Sequence, residues 1–168
     1  MSDEYAIGID LGTSTSEICV FRHKRPEPIP DAESRSPIVP SIVSLNSRGE
    51  VLVGEAARGT VDEAGRGVRE AKREMGTDRR LTLGETAYRP QEVAALILKH
   101  LRESAEVYLK RPVTKAVVSV PANFDDKAKR ATQDAAQIAG LEVMLLVAEP
   151  TAAALAWGID HMDADEQL

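Results

Sequence analysis

The sequence predicts an α/β fold in which helices cover a mixed β-sheet. Near the N-terminus, two β-branched runs are joined by a short turn of small residues, which is the pattern of an antiparallel hairpin. In the last third of the chain, strand, helix, strand and helix alternate, which indicates a parallel pair of strands with a right-handed helical crossover. With 168 residues, 43% of them hydrophobic, the chain is long enough to bury one substantial core.

The first hairpin is predicted from residues 5–10 and 17–22, which flank the turn Gly12-Thr13-Ser14-Thr15. The stretch that follows, residues 26–40, contains five prolines. Proline removes a backbone donor and is excluded from central strands and helix interiors. This stretch is therefore predicted to be an extended surface loop.

A second hairpin is predicted from residues 41–45 and 51–53, which flank an Asn-Ser-Arg-Gly turn. A short helix is expected to begin at residues 55–58. The charged, glycine-dotted segment after it has a pattern that favours another short helix over residues 68–75, which Gly76 would end.

The second half of the chain has the clearest periodicities. Apolar residues recur at helical spacing in its helices, and β-branched or continuous apolar runs mark its strands. Asp125 and Asp126 are candidate helix N-caps and Gly140 is a candidate helix stop. The predicted elements are, in order, a helix over 91–109, a strand over 113–120, a helix over 126–139, a strand over 142–147 and an alanine-rich helix over 150–158.

Charge and composition exclude several function classes. The net charge is −6 with acidic and basic residues interleaved, so no basic stripe is available for nucleic acid or an anionic membrane. No apolar run reaches the roughly 20 residues that cross a bilayer. The single cysteine, Cys19, and an N-terminus without leader features predict a cytoplasmic protein. The three histidines lack metal-ligand spacing, so a zinc site is not expected.

The first candidate site is the strand end and turn from Gly8 to Thr15. A turn of glycine and small hydroxyl residues can direct successive N–H groups at an anion, and Asp10 could hold a hydrated Mg²⁺ beside it. An ordinary hairpin uses the same residue types, and on these residues alone both interpretations stand. Neither a Walker nor a dinucleotide-binding glycine motif is present, which disfavours those sites.

Several motifs together resemble one family. Residues 7–14 resemble the first phosphate motif of the superfamily of sugar kinases, actin and heat-shock chaperones. The segments that distinguish among these resemble the DnaK-type 70-kDa heat-shock chaperones, and they disfavour a sugar kinase. The matching segments are 40–43, 53–57, 72–76, 105–109, 118–126, 138–143 and 148–160.

The resemblance implies an actin-like, ribonuclease H-like ATPase lobe that binds ATP or ADP with Mg²⁺, with K⁺ as a further candidate ion. It also implies a set of site residues: Asp10 near Mg²⁺ and the attacking water, Gly12, Thr13 and Ser14 in the phosphate loop, Lys72 at the γ-phosphate, Glu149 near the metal and water, and Thr151 near the phosphates. Without the resemblance, we would interpret Lys72 as a solvated lysine and residues 149–151 as the start of a helix.

The resemblance further implies an allosteric switch at Pro121 with a basic partner on the following helix. That partner falls on Lys129, where the family usually has arginine, and an ammonium lacks the bidentate fork of a guanidinium. Asn123 also replaces the usual aromatic residue of this motif. The stretch 76–90 is shorter than in housekeeping members, which predicts a reduced small outer subdomain within residues 40–110.

On this interpretation, residues 1–168 are the first lobe of the ATPase domain of a molecular chaperone, which couples ATP turnover to peptide binding and protein folding under stress. The chain is expected to end before the second lobe, to hold half of the nucleotide site and to be inactive alone. Expected partners are the second lobe, a peptide-binding domain, a J-domain co-chaperone and, through the helix over 150–158, a second copy of the chain. The alternative is a non-catalytic interaction module that retains the fold.

Overall fold

The computed structural model describes residues 6–154. Its strands are β1 (Ala6–Leu11), β2 (Thr15–Arg22), β3 (Arg25–Pro28), β4 (Ile38–Pro40), β5 (Ile42–Leu45), β6 (Val51–Val53), β7 (Gly67–Arg69), β8 (Leu81–Leu83), β9 (Thr86–Tyr88), β10 (Lys115–Val120) and β11 (Glu142–Ala148). Its helices are α1 (Pro90–Leu109), α2 (Asp126–Ile138), the 3₁₀ helices Gly54–Ala57 and Ala71–Glu74, and a helical stretch over 149–154.

The main sheet is mixed, as predicted. Its strand order is β11-β10-β1-β2-β3, and β4 also pairs with β2. The pairs β1–β10 and β10–β11 are parallel, whereas β1–β2, β2–β3 and β2–β4 are antiparallel. The predicted first hairpin and the predicted parallel pair are both confirmed. The helix predicted over 150–158 begins within the described residues, and its part beyond residue 154 lies outside them.

The prediction of a loop over residues 26–40 is wrong at both ends of that stretch. Residues 25–28 form β3 and residues 38–40 form β4, both paired with β2. β3 lies at the sheet edge, where the position of a missing proline N–H can face solvent, so the hydrogen bonds to β2 are kept. His23 and Lys24 both have positive φ, at 51° and 64°, which is the backbone of a tight two-residue hairpin turn. Sequence reasoning missed this turn because His23-Lys24 is not one of the usual turn pairs, Asn-Gly or Asp-Gly.

A second sheet, in the order β6-β5-β7, includes the predicted second hairpin. The prediction of a helix over 68–75 is wrong in its first part, because Val68 pairs with Val43 in the β5–β7 ladder. Glu70 has φ of 55°, which separates this strand from the 3₁₀ helix Ala71–Glu74. The helix expected from residue 55 is the 3₁₀ helix Gly54–Ala57. Strands β8 and β9 form a hairpin that the sequence analysis missed. Whether residues 40–110 are a separate subdomain stays a prediction.

Local chemistry explains where α1 and α2 begin and end. Pro90 occupies the first turn of α1, and the Glu92 carboxylate accepts a hydrogen bond of 2.6 Å from the Arg89 N–H. Asp125 caps α2 as predicted, since its carboxylate accepts a bond of 2.8 Å from the Ala128 N–H. Gly140, with φ of 81°, ends this helical segment.

The core lies between α1, α2 and one face of the main sheet. Along β1, β2 and β10 the residues on this face are buried, because side chains alternate between the two faces of a strand. The same apolar cluster continues into the second sheet through Val43 and Val68. None of the helices within residues 6–154 combines the length and apolar character that crossing a bilayer requires.

Asp31 ties the segment between β3 and β4 to α1. Its carboxylate is buried and accepts hydrogen bonds from the Ser34 N–H at 2.7 Å and hydroxyl at 2.8 Å, and from the Ser104 hydroxyl at 3.1 Å. His100 Nε2 lies 2.5 Å from the same carboxylate. Burial raises the pKa of Asp31, but the bonds from Ser34 and the contact with His100 outweigh it, so the pKa lies below its ordinary value.

We expect Asp31→Asn to lower the free energy of unfolding by about 1–3 kcal/mol near neutral pH, because it leaves buried donors without their anionic acceptor. Since the folded-state pKa of Asp31 is lowered, its stabilisation is present above the unfolded-state pKa, about 3.9, and is lost as the pH falls through the folded value. Urea denaturation between pH 7 and pH 3 should therefore show the two proteins converging in acid. Asp62→Asn, at an exposed carboxylate paired with Arg69, is the control and should cost less. A constant difference across this pH range would contradict the assignment.

Candidate functional site

The topology brings most of the predicted site residues to one edge of the main sheet. Because β1, β10 and β11 run parallel, their carboxyl ends lie at the same edge. The register aligns Asp10 with Ser119 and Ser119 with Val147. The chain then leaves the three strands at the Gly12 turn, at Pro121 and at Glu149. In open α/β sheets, ligands bind outside this edge.

Asp10 lies at the end of β1 on the face of the sheet opposite α1 and α2. Its carboxylate is exposed and accepts a hydrogen bond of 2.6 Å from the Ser119 hydroxyl on β10. This bond orients one carboxylate oxygen, Oδ1, and leaves Oδ2 available for a water or a cation. Sequence reasoning missed Ser119; the signal available was its place on the strand predicted to run parallel to the strand of Asp10.

The turn between β1 and β2 is compact. A side chain at Gly12 would place its Cβ 2.0 Å from the Thr15 carbonyl oxygen, so this position requires glycine. Thr13 is half-buried and Ser14 is exposed. The Ser14 carbonyl accepts a bond of 2.8 Å from the Ser41 N–H, and the Ser16 and Ser41 hydroxyls lie 2.8 Å apart. These bonds fix the turn to the segment between β4 and β5.

Lys72 is brought to the end of β11 although it lies 77 residues before its partner. Its Nζ donates a hydrogen bond of 2.6 Å to Glu149 Oε1. The Lys72 side chain is only 8% exposed, whereas that of Glu149 is 42% exposed. Buried lysine is uncommon unless it is paired, so the interpretation of Lys72 as a solvated surface lysine is wrong. The chain has folded an ammonium and a carboxylate into contact at the candidate site.

The remaining predicted residues differ in how closely the structure joins them to this edge. Thr151 is exposed on the helical stretch 149–154. Pro121 is half-buried, and its carbonyl accepts a bond of 3.1 Å from the Phe124 N–H in the turn that leads to α2. Lys129 is exposed on α2, and among residues 6–154 no ion pair links it to the other site residues.

A groove of about 390 Å³ runs along the sheet face that carries Asp10. Asp10, Glu17 and Ser119 form its polar part, and apolar side chains including Phe21 and Val147 form the rest. Cys19 also lines it, and burial raises the pKa of this thiol above its ordinary value. The thiol is therefore protonated and a poor nucleophile near neutral pH.

The donor set suits a hydrated Mg²⁺ better than a metal held by protein ligands alone. Within residues 6–154, no three His, Cys, Asp or Glu side chains form a metal-binding cluster. Mg²⁺ usually keeps several waters and binds one or two carboxylates together with substrate phosphates. Asp10 offers such a carboxylate beside a turn of backbone N–H groups and hydroxyls.

The fold is a mixed α/β sheet with flanking helices, and the glycine turn and Asp10 lie at the edge where sheets of this class bind ligands. A family model described as Hsp70 protein matches residues 6–83 and 78–168. The chain therefore belongs to the Hsp70 family, and it is part of the nucleotide-binding domain of a chaperone. The two matched segments overlap over residues 78–83, within the stretch 76–90 that the sequence analysis expected to be short.

We expect Lys72 and Glu149 to be energetically coupled more strongly than an exposed ion pair. In a double-mutant cycle with Lys72→Met and Glu149→Gln, the coupling energy from urea denaturation should exceed about 1 kcal/mol, because the buried ammonium loses its only close carboxylate among the described residues. Glu55 and Arg58 are the matched control: their charged atoms lie 2.7 Å apart, against 2.6 Å for Lys72 and Glu149, but both side chains are more than half exposed. Their coupling should be a few tenths of a kcal/mol. Equal coupling in the two pairs would contradict the contact.

Proposed function

We propose that residues 1–168 are the first lobe of the ATPase domain of this chaperone and bind the phosphates of Mg·ATP at the carboxyl ends of β1, β10 and β11. The observation that supports this most strongly is the Lys72–Glu149 contact, which joins two distant segments at the sheet edge that also holds Asp10 and the Gly12 turn. A lysine side chain is rarely buried to this degree unless it is paired.

In this proposal each residue has a separate task. The turn from Gly12 to Ser14 directs N–H groups and hydroxyls at the phosphates. Asp10, oriented by Ser119, would hold a hydrated Mg²⁺, and the ion would supply charge stabilisation for phosphoryl transfer. Lys72 moves from Glu149 to the γ-phosphate, which frees the Glu149 carboxylate to orient the attacking water. Thr151 adds a hydroxyl, and K⁺ is a further candidate at the same phosphates.

The described residues approach a phosphate from one side only. The turn, Asp10 and the Lys72–Glu149 pair all lie at a single sheet edge, and the groove beside them is open. Phosphoryl transfer requires positioning and charge from several sides of the nucleotide. We therefore propose that a second lobe completes the site and that this chain alone neither binds adenosine tightly nor turns ATP over.

The proposed partners are those that the resemblance to the chaperone family implies. A second lobe would cover the open edge, a peptide-binding domain would receive the signal of the nucleotide state, and a J-domain co-chaperone would stimulate turnover. Pro121 and Lys129 would transmit that signal along α2. A cytoplasmic location, with a reduced outer subdomain within residues 40–110, belongs to the same proposal.

Binding of Mg·ATP tests the nucleotide site directly. In a heteronuclear NMR titration, we expect shifts at Gly12, Thr13 and Ser14, with a dissociation constant weaker than micromolar, or about −8 kcal/mol. Lys72→Met should weaken this binding, because it removes the buried cation. Lys99→Met, at an exposed lysine on α1, should not.

Two results would contradict the proposal. Micromolar or tighter binding would show that the chain holds a complete site. Absence of any shift at millimolar Mg·ATP would favour the alternative, an interaction module that keeps the fold without the nucleotide.

We also expect the isolated chain to self-associate through the groove face of the main sheet. Phe21 is 60% exposed there and lines the same groove as Ala152, which lies in the described part of the helix that the sequence analysis expected to pair. Phe21→Ser should therefore lower the apparent mass at high concentration in light scattering. Val107→Ser is the matched control, because Val107 is equally exposed but lies on α1. A monomer at every concentration would show that this face does not associate.

A further inference from the structure

Gly76 has a backbone conformation and surroundings that together exclude a side chain. Its φ is 82°, in the left-handed region that favours glycine. A Cβ at this position would lie 2.6 Å from the Ala128 nitrogen, 2.9 Å from the Ala128 Cα and 2.9 Å from the Lys127 carbonyl carbon. All three are backbone atoms, which cannot rotate away as a side chain could. The Gly76 backbone therefore lies directly against the first turn of α2.

The contact falls on the first turn of α2, which Asp125 caps. The Ala128 N–H, which a Cβ at residue 76 would meet, is the group that Asp125 caps at 2.8 Å. The Lys129 N–H donates a further bond of 3.0 Å to the Asp125 carbonyl. A displacement of residue 76 would thus press on a helix end that has little freedom to move.

The segment from Glu70 to Thr77 is continuously bonded, so a displacement of Gly76 would reach Lys72. The Arg73 N–H donates to the Glu70 carbonyl at 3.0 Å, the Met75 N–H to the Lys72 carbonyl at 3.2 Å, and the Thr77 N–H to the Glu74 carbonyl at 3.0 Å. Ala71 and Met75 are buried and attach the same turn to the core.

We infer that Gly76 is a positioning residue, whose lack of a side chain lets the turn that carries Lys72 seat against α2 and so sets the reach of Lys72 to Glu149. Lys72 is then held from two sides, by its ion pair at the end of β11 and by the Gly76 contact with α2. The consequence of this positioning for phosphate binding rests on the proposed function. The positioning of Lys72 by Gly76 is a property of the chain without nucleotide.

The test compares Gly76→Ala with Gly65→Ala. Gly65 has φ of 72° and nothing within 4 Å of a Cβ, so Gly65→Ala introduces the same backbone strain without the contact. The readout is the rate at which an acylating reagent modifies Lys72 in the folded chain without nucleotide, relative to Lys99, followed by peptide mass spectrometry. Lys99 is an internal reference because its side chain is 58% exposed.

We expect Gly76→Ala to raise the Lys72 to Lys99 ratio by about tenfold, since displacing the turn makes local opening easier. Gly65→Ala should leave the ratio unchanged. Gly76→Asn separates the two causes, because asparagine tolerates the left-handed region but still has a Cβ. If the contact is the cause, Gly76→Asn raises the ratio as much as Gly76→Ala; a return to the original ratio would overturn the inference, as would an equal effect of Gly65→Ala.

A second pair of variants decides the question if the Gly76 variants do not fold. Asp125→Ala loosens the first turn of α2, on which Gly76 rests, and Asn46→Ala instead loosens the exposed turn between β5 and β6, where the Asn46 side chain accepts bonds from the Arg48 and Glu50 N–H groups. We expect only Asp125→Ala to raise the Lys72 to Lys99 ratio. Equal ratios in these two variants would overturn the inference. Because no nucleotide is present, failure of Mg·ATP binding would not affect this result, and the two hypotheses fail separately.

Discussion

The parallel pairing of β1 with β10 and of β10 with β11 determines where the candidate site lies. Parallel strands end at the same edge, so residues separated by more than a hundred positions in the chain leave the sheet side by side. Asp10, Pro121 and Glu149 share this edge for that reason. If the β10–β11 connection were a tight antiparallel hairpin, Glu149 would emerge at the opposite edge, and Lys72 would have no carboxylate there to bind.

Because side chains alternate along these strands, one face of the sheet forms the core and the other carries the candidate site residues. Ile7, Ile9 and Val118 point towards α1 and α2 and are almost fully buried. Asp10 and Ser119 point the other way and bond to each other in the groove. The core that stabilises the sheet and the groups that could contact a ligand are thus adjacent in sequence but separated by the thickness of the sheet.

The position of Lys72 depends on elements outside the main sheet. The Glu70 backbone at φ of 55° redirects the chain after β7 into the 3₁₀ helix that carries the lysine. β7 in turn is fixed by its ladder with β5, and the Gly76 contact fixes the other end of the turn. A buried ammonium is costly without a partner, so these constraints and the Glu149 carboxylate support one another.

The sequence by itself determined the elements whose signals are local: the first hairpin, the long helix α1, the Asp125 cap and Gly140 stop of α2, and the strands β10 and β11 with their periodicity. It also singled out Asp10 and the Gly12 turn as a candidate phosphate site, and its motifs identified the Hsp70 family. It could not place β3, β4, β7 or the β8–β9 hairpin, because short strands owe their stability to partners elsewhere in the chain. Only the tertiary structure decided that Lys72 is buried against Glu149, that Ser119 orients Asp10 and that Gly76 rests on α2. Each of these is a contact between segments far apart in sequence, and hydrophobic periodicity and turn chemistry report only on neighbours along the chain.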